Sequence, residues 1–256
     1  MYRGFQLALD TEASIFNERF SRYVNKGRDL FLSNHSQMKS AISHFQISDF
    51  ILPNGTIDGS KLQEYWFPRI KADVFISHSH QDEELALALA GWLYATFGLK
   101  PFVDSCAWGY CDKLSELLFA ATVQSCDPQS HKSLGDDIRK HVHTMLDSAI
   151  KNMIDMTECL FFLNTSNSIH GDGKTQSSWI HSELEIARTI RRRPRVGEYP
   201  ILELEQRGSL GFMVAYDAPV AHLTEIDSDS LMKWAVRSFK ANPPRKHLDR
   251  LYAFNP

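Results

Sequence analysis

The stretch DVFISHSHQDEELALALAGWL at residues 73–93, followed by LKPFVDS at residues 99–105, indicates the fold class. Residues 72–77 form a compact apolar run rich in β-forming residues, which is typical of a buried strand in a parallel sheet. A helix that opens with acidic residues at its positive end follows, and residues 99–104 predict a second strand. This order predicts a βαβ unit with a right-handed crossover.

The same alternation continues along the chain. A third strand is predicted at residues 159–164 and a fourth at residues 199–204, while a fifth falls at either 212–216 or 220–223. Apolar residues at helical spacing separate these strands. The pattern predicts an open α/β fold with a parallel sheet, in which ligands bind beyond the carboxyl ends of the strands.

The chain divides near residue 70. Residues 1–70 are interpreted as a small N-terminal extension of unknown role, packed on or beside the main domain. Residues 71–240 form that domain, with a long insertion at about 105–137, and residues 241–256 form a C-terminal tail.

Composition excludes several classes of protein. The 256 residues are 43% hydrophobic and 23% charged, with a formal net charge of −3, which is typical of a globular chain and leaves no basic excess for nucleic-acid binding. No apolar run approaches the roughly 20 residues of a membrane helix, and the amino terminus does not resemble a secretory signal. We therefore expect a cytoplasmic protein without membrane association, whose four cysteines are free thiols.

Three loops are expected to meet at the carboxyl edge of the sheet. They carry polar and aromatic candidates for binding and catalysis: Ser77, His78 and His80 in the first loop, Asp104 and Trp108 in the second, and Trp179 and Glu183 on the helix after the third. Because Trp179 and Glu183 are four residues apart, they share a helix face and can present a carboxylate beside an aromatic wall.

Together with CLFFLNTSNSI at 159–169 and SSWIHSELEIA at 177–187, these segments resemble the Toll/interleukin-1 receptor (TIR) domain in its bacterial form. The resemblance covers about residues 71–240. It includes an acidic residue at the end of the second strand, here Asp104, and a Trp-x-x-x-Glu pattern on the helix after the third strand. The second loop is much longer than in that family, and the region of the fifth strand matches poorly. The resemblance implies a flavodoxin-like open parallel sheet.

The resemblance also implies a function. Enzymatic TIR domains cleave NAD at the nicotinamide–ribose bond with the helix glutamate, here Glu183, giving ADP-ribose by hydrolysis or a cyclic ADP-ribose signal by cyclisation. In bacteria they serve anti-phage defence, act as homo-oligomers and can signal to a downstream effector that senses the nucleotide product. NAD is then the substrate, and no cofactor or metal is required. The alternative is a non-catalytic TIR module that acts by homotypic assembly, and a related nucleoside-processing enzyme is a third possibility.

The residues suit that chemistry. Loss of neutral nicotinamide leaves positive charge on the ribose, which a carboxylate such as Glu183 would stabilise most in the transition state. Trp179 would pack against the nicotinamide or the ribose. Hydrogen bonds to ribose or phosphate oxygens would be donated by Ser77, His78 and His80. Asp104 and Trp108 would complete the substrate site from the second loop.

Each candidate also has a purely structural interpretation. Glu183 could be a solvated surface charge, Trp179 a core residue, His78 and His80 ordinary loop residues, and Asp104 a cap after the second strand. A zinc site is a further alternative for the Cys and His residues of the insertion, although their spacing fits zinc weakly. The basic run at 188–195 complements the end of a helix, so neither metal nor nucleic acid is expected as a ligand.

Overall fold

A computed structural model describes residues 3–103, 105, 111–123, 127–190, 216–238 and 245–254. Within these ranges, only the backbone of residues 33–39, 41, 216, 245–246 and 254 is described. All statements below refer to this part of the chain.

The described residues form seven strands and eight helices. In chain order they are β1 Arg3–Leu7, α1 Phe20–Ser43, α2 Gly59–Trp66, β2 Val74–Ser77, α3 Glu83–Phe97, β3 Pro101–Val103, α4 Cys111–Thr122, α5 His131–Met156, β4 Cys159–Leu163, β5 Lys174–Thr175, α6 Ser178–Thr189, β6 Tyr216–Asp217, β7 Thr224–Ile226, α7 Ser228–Ser238 and α8 Arg245–Phe254. No helix in these ranges is both long enough and apolar enough to cross a membrane.

Five strands form one parallel sheet in the order β3-β2-β4-β1-β7. The strands β5 and β6 form a separate antiparallel pair. The predicted α/β fold with a parallel sheet is therefore confirmed, and three of the predicted strands coincide with β2, β3 and β4.

Helices cover both faces of the sheet. On the first face, buried side chains of α1, α3, α7 and α8 pack against strand residues such as Val74 and Ile76. On the second face, α2, α4, α5 and α6 pack against Phe75 and Phe162. Because alternate strand residues point to opposite faces, each buried strand presents apolar side chains to both helical layers.

The structure of the N-terminal segment differs from the interpretation of residues 1–70 as an appendage. Its first strand, β1, lies inside the sheet, where it pairs with β4 on one side and β7 on the other. Its long helix α1 packs against α3 at very short range. A Cβ atom added at Gly27 would lie 2.1 Å from the carbonyl oxygen of Leu87, and one added at Gly91 would lie 2.0 Å from that of Tyr23. The two backbones therefore touch, and the segment belongs to the core of the fold.

Two further predictions need correction. Among the described residues, the last strand of the sheet is β7, at Thr224–Ile226, so the alternative that placed the fifth strand at 220–223 is wrong. A hydrogen bond from the amide of Leu223 to the carbonyl of Val220 makes residues 220–223 a turn. The segment interpreted as a C-terminal tail contains α8, whose Leu248 and Leu251 are completely buried. The predicted strand at 199–204 and residues 212–215 lie outside the described residues.

The predicted insertion at about 105–137 contains a helix and the beginning of another. Leu114 and Leu118 of α4 are buried against the layer formed by α5 on the second face of the sheet. This part of the insertion therefore adds to the hydrophobic core, in contrast to a purely surface loop.

Candidate active site

The connections of the sheet diverge between the carboxyl ends of β2 and β4, and this position is hereafter called the crevice. After β2 the chain passes through α3 to β3 on one side, whereas after β4 it continues to β7 on the other side. Ligands of open α/β sheets bind where successive connections diverge in this way. The loops that follow Ser77 and Leu163 line this position.

Ser77 and Glu183 meet beside this crevice. Ser77 is the last residue of β2, and its Oγ donates a short hydrogen bond to Oε2 of Glu183 on α6. The helix that carries Glu183 is fixed at its start by Ser177, whose Oγ accepts a hydrogen bond of 3.2 Å from the amide of Ile180. Such an N-cap stabilises the first turn, so the position of Glu183 follows from both the strand and the capped helix.

The carboxyl group of Glu183 is buried. Glu183 is 3% exposed and Ser77 is fully buried, and α6 turns Ile180 and Leu184 toward the core on the same side. Acidic side chains are almost never buried without partners, because losing water is costly for a charge. The interpretation of Glu183 as a solvated surface charge is therefore wrong.

The first and second loops meet through His78. This buried side chain lies with Nε2 3.1 Å from Oγ of Ser105, two residues beyond the end of β3. In contrast, His80 is exposed at the start of a short 3-10 turn. Asp104 and Trp108, the other predicted residues of the second loop, lie outside the described residues.

Asp82 connects the first and third loops, and it was not among the predicted site residues. Its buried carboxylate accepts a hydrogen bond of 2.6 Å from Oγ1 of Thr165 and one of 2.7 Å from Nδ2 of Asn167. The sequence shows Asp82 only as an acidic residue at a helix start, which is common on solvated helices. The polar Thr165-x-Asn167 pattern directly after a buried strand is the one signal that could have indicated this contact.

Trp179 lies beside the neighbouring helix α5. Its half-buried indole stacks on the ring of His143, with ring centroids 5.5 Å apart and an angle of 27° between the planes. The same side chain packs against the hydrophobic core of the second face. The indole therefore has a structural role on the side of α5, and only its remaining surface is open to a ligand.

The two cysteines that the structure describes, Cys111 and Cys159, do not resemble activated nucleophiles. Burial raises the pKa of the Cys111 thiol, and burial raises the pKa of the Cys159 thiol well above its usual range. A thiol in such surroundings stays protonated at neutral pH and is unreactive. Within the described ranges, no group of three His, Cys, Asp or Glu side chains is arranged to hold a metal ion. Cys106 and Cys126 lie outside those ranges.

A separate cavity of about 250 Å³ lies between α7 and α8, lined by Trp234, Arg237, Arg250 and Ala253. Trp234 belongs to the core of the first face of the sheet, whereas Glu183 projects toward the second face. This cavity is therefore separate from the carboxylate site, and the chemistry of Glu183 does not involve it.

Comparison with known proteins leaves the site without a family assignment. No protein-family model matches the chain, and neither the curated proteins nor the solved structures contain a significant match. The function of the site is therefore inferred from its geometry and from the motifs of the sequence.

Proposed function

We propose that this protein is an NAD-consuming enzyme of the TIR type, which cleaves the nicotinamide–ribose bond with Glu183 as the essential carboxylate. The observation that carries the proposal is the buried contact between Glu183 and Ser77 at the point where the connections of the sheet diverge. A carboxylate held out of water beside a ligand crevice is costly for stability, and catalysis gives a reason to keep it there.

Part of the strand order supports a flavodoxin-like fold. That fold has the order 2-1-3-4-5, and β3-β2-β4 corresponds to its 2-1-3 part. The fourth place, however, is filled by β1 from the N-terminal segment. The proposal therefore assigns a TIR-like arrangement to the half of the sheet that borders the crevice, with a different origin for the strand beyond it.

The chemistry follows from the charges. When the bond between ribose C1′ and the nicotinamide nitrogen breaks, its electron pair leaves with neutral nicotinamide and the ribose gains oxocarbenium character. The carboxylate of Glu183, oriented by the hydroxyl of Ser77, stabilises that charge most strongly in the transition state. Low local polarity strengthens the interaction. Water then attacks C1′ and loses one proton, which yields ADP-ribose, or a nitrogen of the adenine ring attacks and yields a cyclic product.

Incubation of the purified full chain with NAD, followed by chromatography of the products, tests the proposal. The wild type is expected to release nicotinamide, and Glu183→Gln is expected to lose at least a hundredfold in rate, comparable with the loss of one transition-state contact. Glu185→Gln is the matched control, because Glu185 lies on the same helix and pairs with Arg188 at 2.6 Å. Full activity of Glu183→Gln would show that the mechanism is wrong. If NAD stays intact even in the assembled protein, the NAD-cleaving proposal is wrong, and homotypic assembly and nucleoside processing, which a panel of nucleosides tests, are the remaining predictions.

The wider roles stay predictions of the resemblance. Anti-phage defence, a downstream effector that senses the product, and a homo-oligomeric state would each follow from TIR-type activity. They are best approached after the product of the NAD reaction is known, because the product defines the signal that an effector would bind.

A further inference from the structure

Four residues form one row across the second face of the sheet, near its carboxyl edge. Strand pairing places Ser77 of β2 opposite Phe162 of β4, Phe162 opposite Gln6 of β1, and Gln6 opposite Glu225 of β7. Phe162 points to the core of the second face, the layer that contains α6. Paired residues of neighbouring strands share a face, so Gln6 and Glu225 lie on the same face as Ser77 and its partner Glu183.

Gln6 is an unusual residue for this position. It is the next-to-last residue of an internal strand and is only 8% exposed, and its neighbours Phe5 and Leu7 are completely buried apolar residues. Its Nε2 donates a hydrogen bond of 2.6 Å to Oε1 of Glu225. Because a carboxylate only accepts hydrogen bonds, this contact defines which end of the amide is the nitrogen. The side-chain oxygen, Oε1, then has no hydrogen-bond partner among the described residues.

A buried carbonyl oxygen without a donor destabilises the folded state. Next to it, the carboxylate of Glu225 belongs to an exposed residue and is reachable from solvent. The pair therefore places the buried amide oxygen of Gln6, on β1, beside the carboxylate of the exposed residue Glu225, on β7, near the carboxyl ends of both strands. Two neighbouring hydroxyl groups would satisfy both, which is the chemistry of a ribose diol. Acidic residues bind the 2′-hydroxyl of NAD in other α/β proteins, and such a residue disfavours the 2′-phosphate of NADP.

The spacing suits a dinucleotide. Gln6 and Ser77 are separated by one strand, which places their Cα atoms at two strand spacings, roughly 10 Å apart. If the reacting ribose of a ligand lies at Glu183, the same ribose cannot also contact Gln6 and Glu225. A second ribose in the same ligand, as in a dinucleotide, would be needed to reach them. We propose that Gln6 and Glu225 form a subsite for the adenosine ribose of the substrate and select NAD over NADP. This inference rests on the proposed function.

Steady-state kinetics with NAD and NADP test the subsite. The wild type is expected to favour NAD over NADP by at least tenfold in kcat/KM. Glu225→Gln removes the negative charge and is expected to reduce that preference about tenfold, because its amide can also donate to a phosphate. Gln6→Met keeps the volume, removes the acceptor and is expected to raise KM for both substrates about tenfold, which is the effect of one lost hydrogen bond. Glu185→Gln serves as the control that leaves the preference unchanged.

The outcomes separate the two proposals. One outcome is that the wild type cleaves NAD while Glu225→Gln keeps the wild-type preference for NAD over NADP and Gln6→Met keeps the wild-type KM. In that case the subsite is wrong and the catalytic proposal stands. If the wild type does not cleave NAD, calorimetry with ADP-ribose and its 2′-phosphorylated form still tests the subsite. The subsite is supported if ADP-ribose binds at least tenfold more tightly than its 2′-phosphorylated form and if this difference is smaller in Glu225→Gln. It is overturned if the two ligands bind with equal affinity or if neither binds. Circular dichroism shows whether Gln6→Met folds, and if that variant does not fold, the result for Glu225→Gln decides.

Discussion

Thr165 and Asp82 lie 83 residues apart in the chain and are joined by a hydrogen bond of 2.6 Å from Oγ1 of Thr165 to Oδ2 of Asp82. Asp82 precedes α3, and Thr165 follows β4. The bond therefore joins the loop after β2, which begins next to Ser77, to the loop after β4. Hydrogen bonds to charged groups are among the stronger ones in proteins, so this contact holds the geometry of the site.

The variant Thr165→Val keeps the shape of the side chain and removes the donor. We expect the free energy of unfolding to fall by about 1.5–3 kcal/mol, because a buried carboxylate loses a hydrogen bond. Urea denaturation measures this change. Thr189→Val is the control, since Thr189 is exposed and bonds only to carbonyls of its own helix. An equal effect of both variants would contradict a special role for the contact between Asp82 and Thr165.

Gly91→Ala tests the close approach of α1 and α3. The added methyl group would lie 2.0 Å from the carbonyl oxygen of Tyr23, so one of the two backbones must move. We expect a loss of stability of about 1–3 kcal/mol or more, as for other overpacked cores. Gly171→Ala is the matched control, because no atom lies within 4 Å of the added carbon there. A thermal melt that shows Gly91→Ala to be as stable as Gly171→Ala would contradict the packing of the two helices.

Removal of the N-terminal segment tests its place in the sheet. A chain limited to residues 71–240 lacks β1 and α1, so β4 and β7 lose the strand between them and α3 loses its partner helix. We expect this chain to be unfolded or aggregated, because it exposes a strand edge and a large apolar surface. Circular dichroism and gel filtration measure the result. A cooperative, monomeric fold of residues 71–240 would mean that the segment is dispensable.

Asp147 is expected to make stability depend on pH. Burial raises its pKa, while the neighbouring His143 lowers it to a smaller extent. The folded protein therefore holds the Asp147 proton more tightly than the unfolded chain, and ionisation of this group at neutral pH weakens folding. We expect Asp147→Asn to be more stable than the wild type at pH 7, with a gain that disappears as the pH falls below the ordinary pKa of aspartate.

Chemical denaturation across a range of pH values measures this dependence. Asp137→Asn, which removes an exposed partner of Lys140 on the same helix, is the control and is expected to change stability little. A gain for Asp147→Asn that persists unchanged at low pH would show that ionisation of Asp147 is not its cause.

The part of the fold around the crevice could be predicted from the sequence. The buried strands around Phe75 and Phe161 are short apolar runs between clear helical patterns, and local composition identifies them. Because parallel strands end at one edge of a sheet, the meeting of Ser77 with the helix of Glu183 could be expected from order alone. The contact between His78 and Ser105 follows from the same reasoning.

The strand β1 could not be found in this way. Its sequence, RGFQL, contains a glycine and a glutamine and shows no run of β-branched residues. Its partners Cys159–Leu163 and Thr224–Ile226 lie far away in the chain, so no local pattern indicates the pairing. The role of Asp82 could not be predicted for a similar reason. Its hydrogen bonds connect two loops that only the folded chain brings together.

The central place of β1 has a consequence for synthesis on the ribosome. This strand is made early, yet both of its neighbours in the sheet, β4 and β7, are translated much later. The sheet can close only after β7 has left the exit tunnel, and until then the nascent chain carries an unpaired strand. Folds with such distant pairings form slowly and expose edges to aggregation, so chaperone binding during translation would favour the yield of this protein.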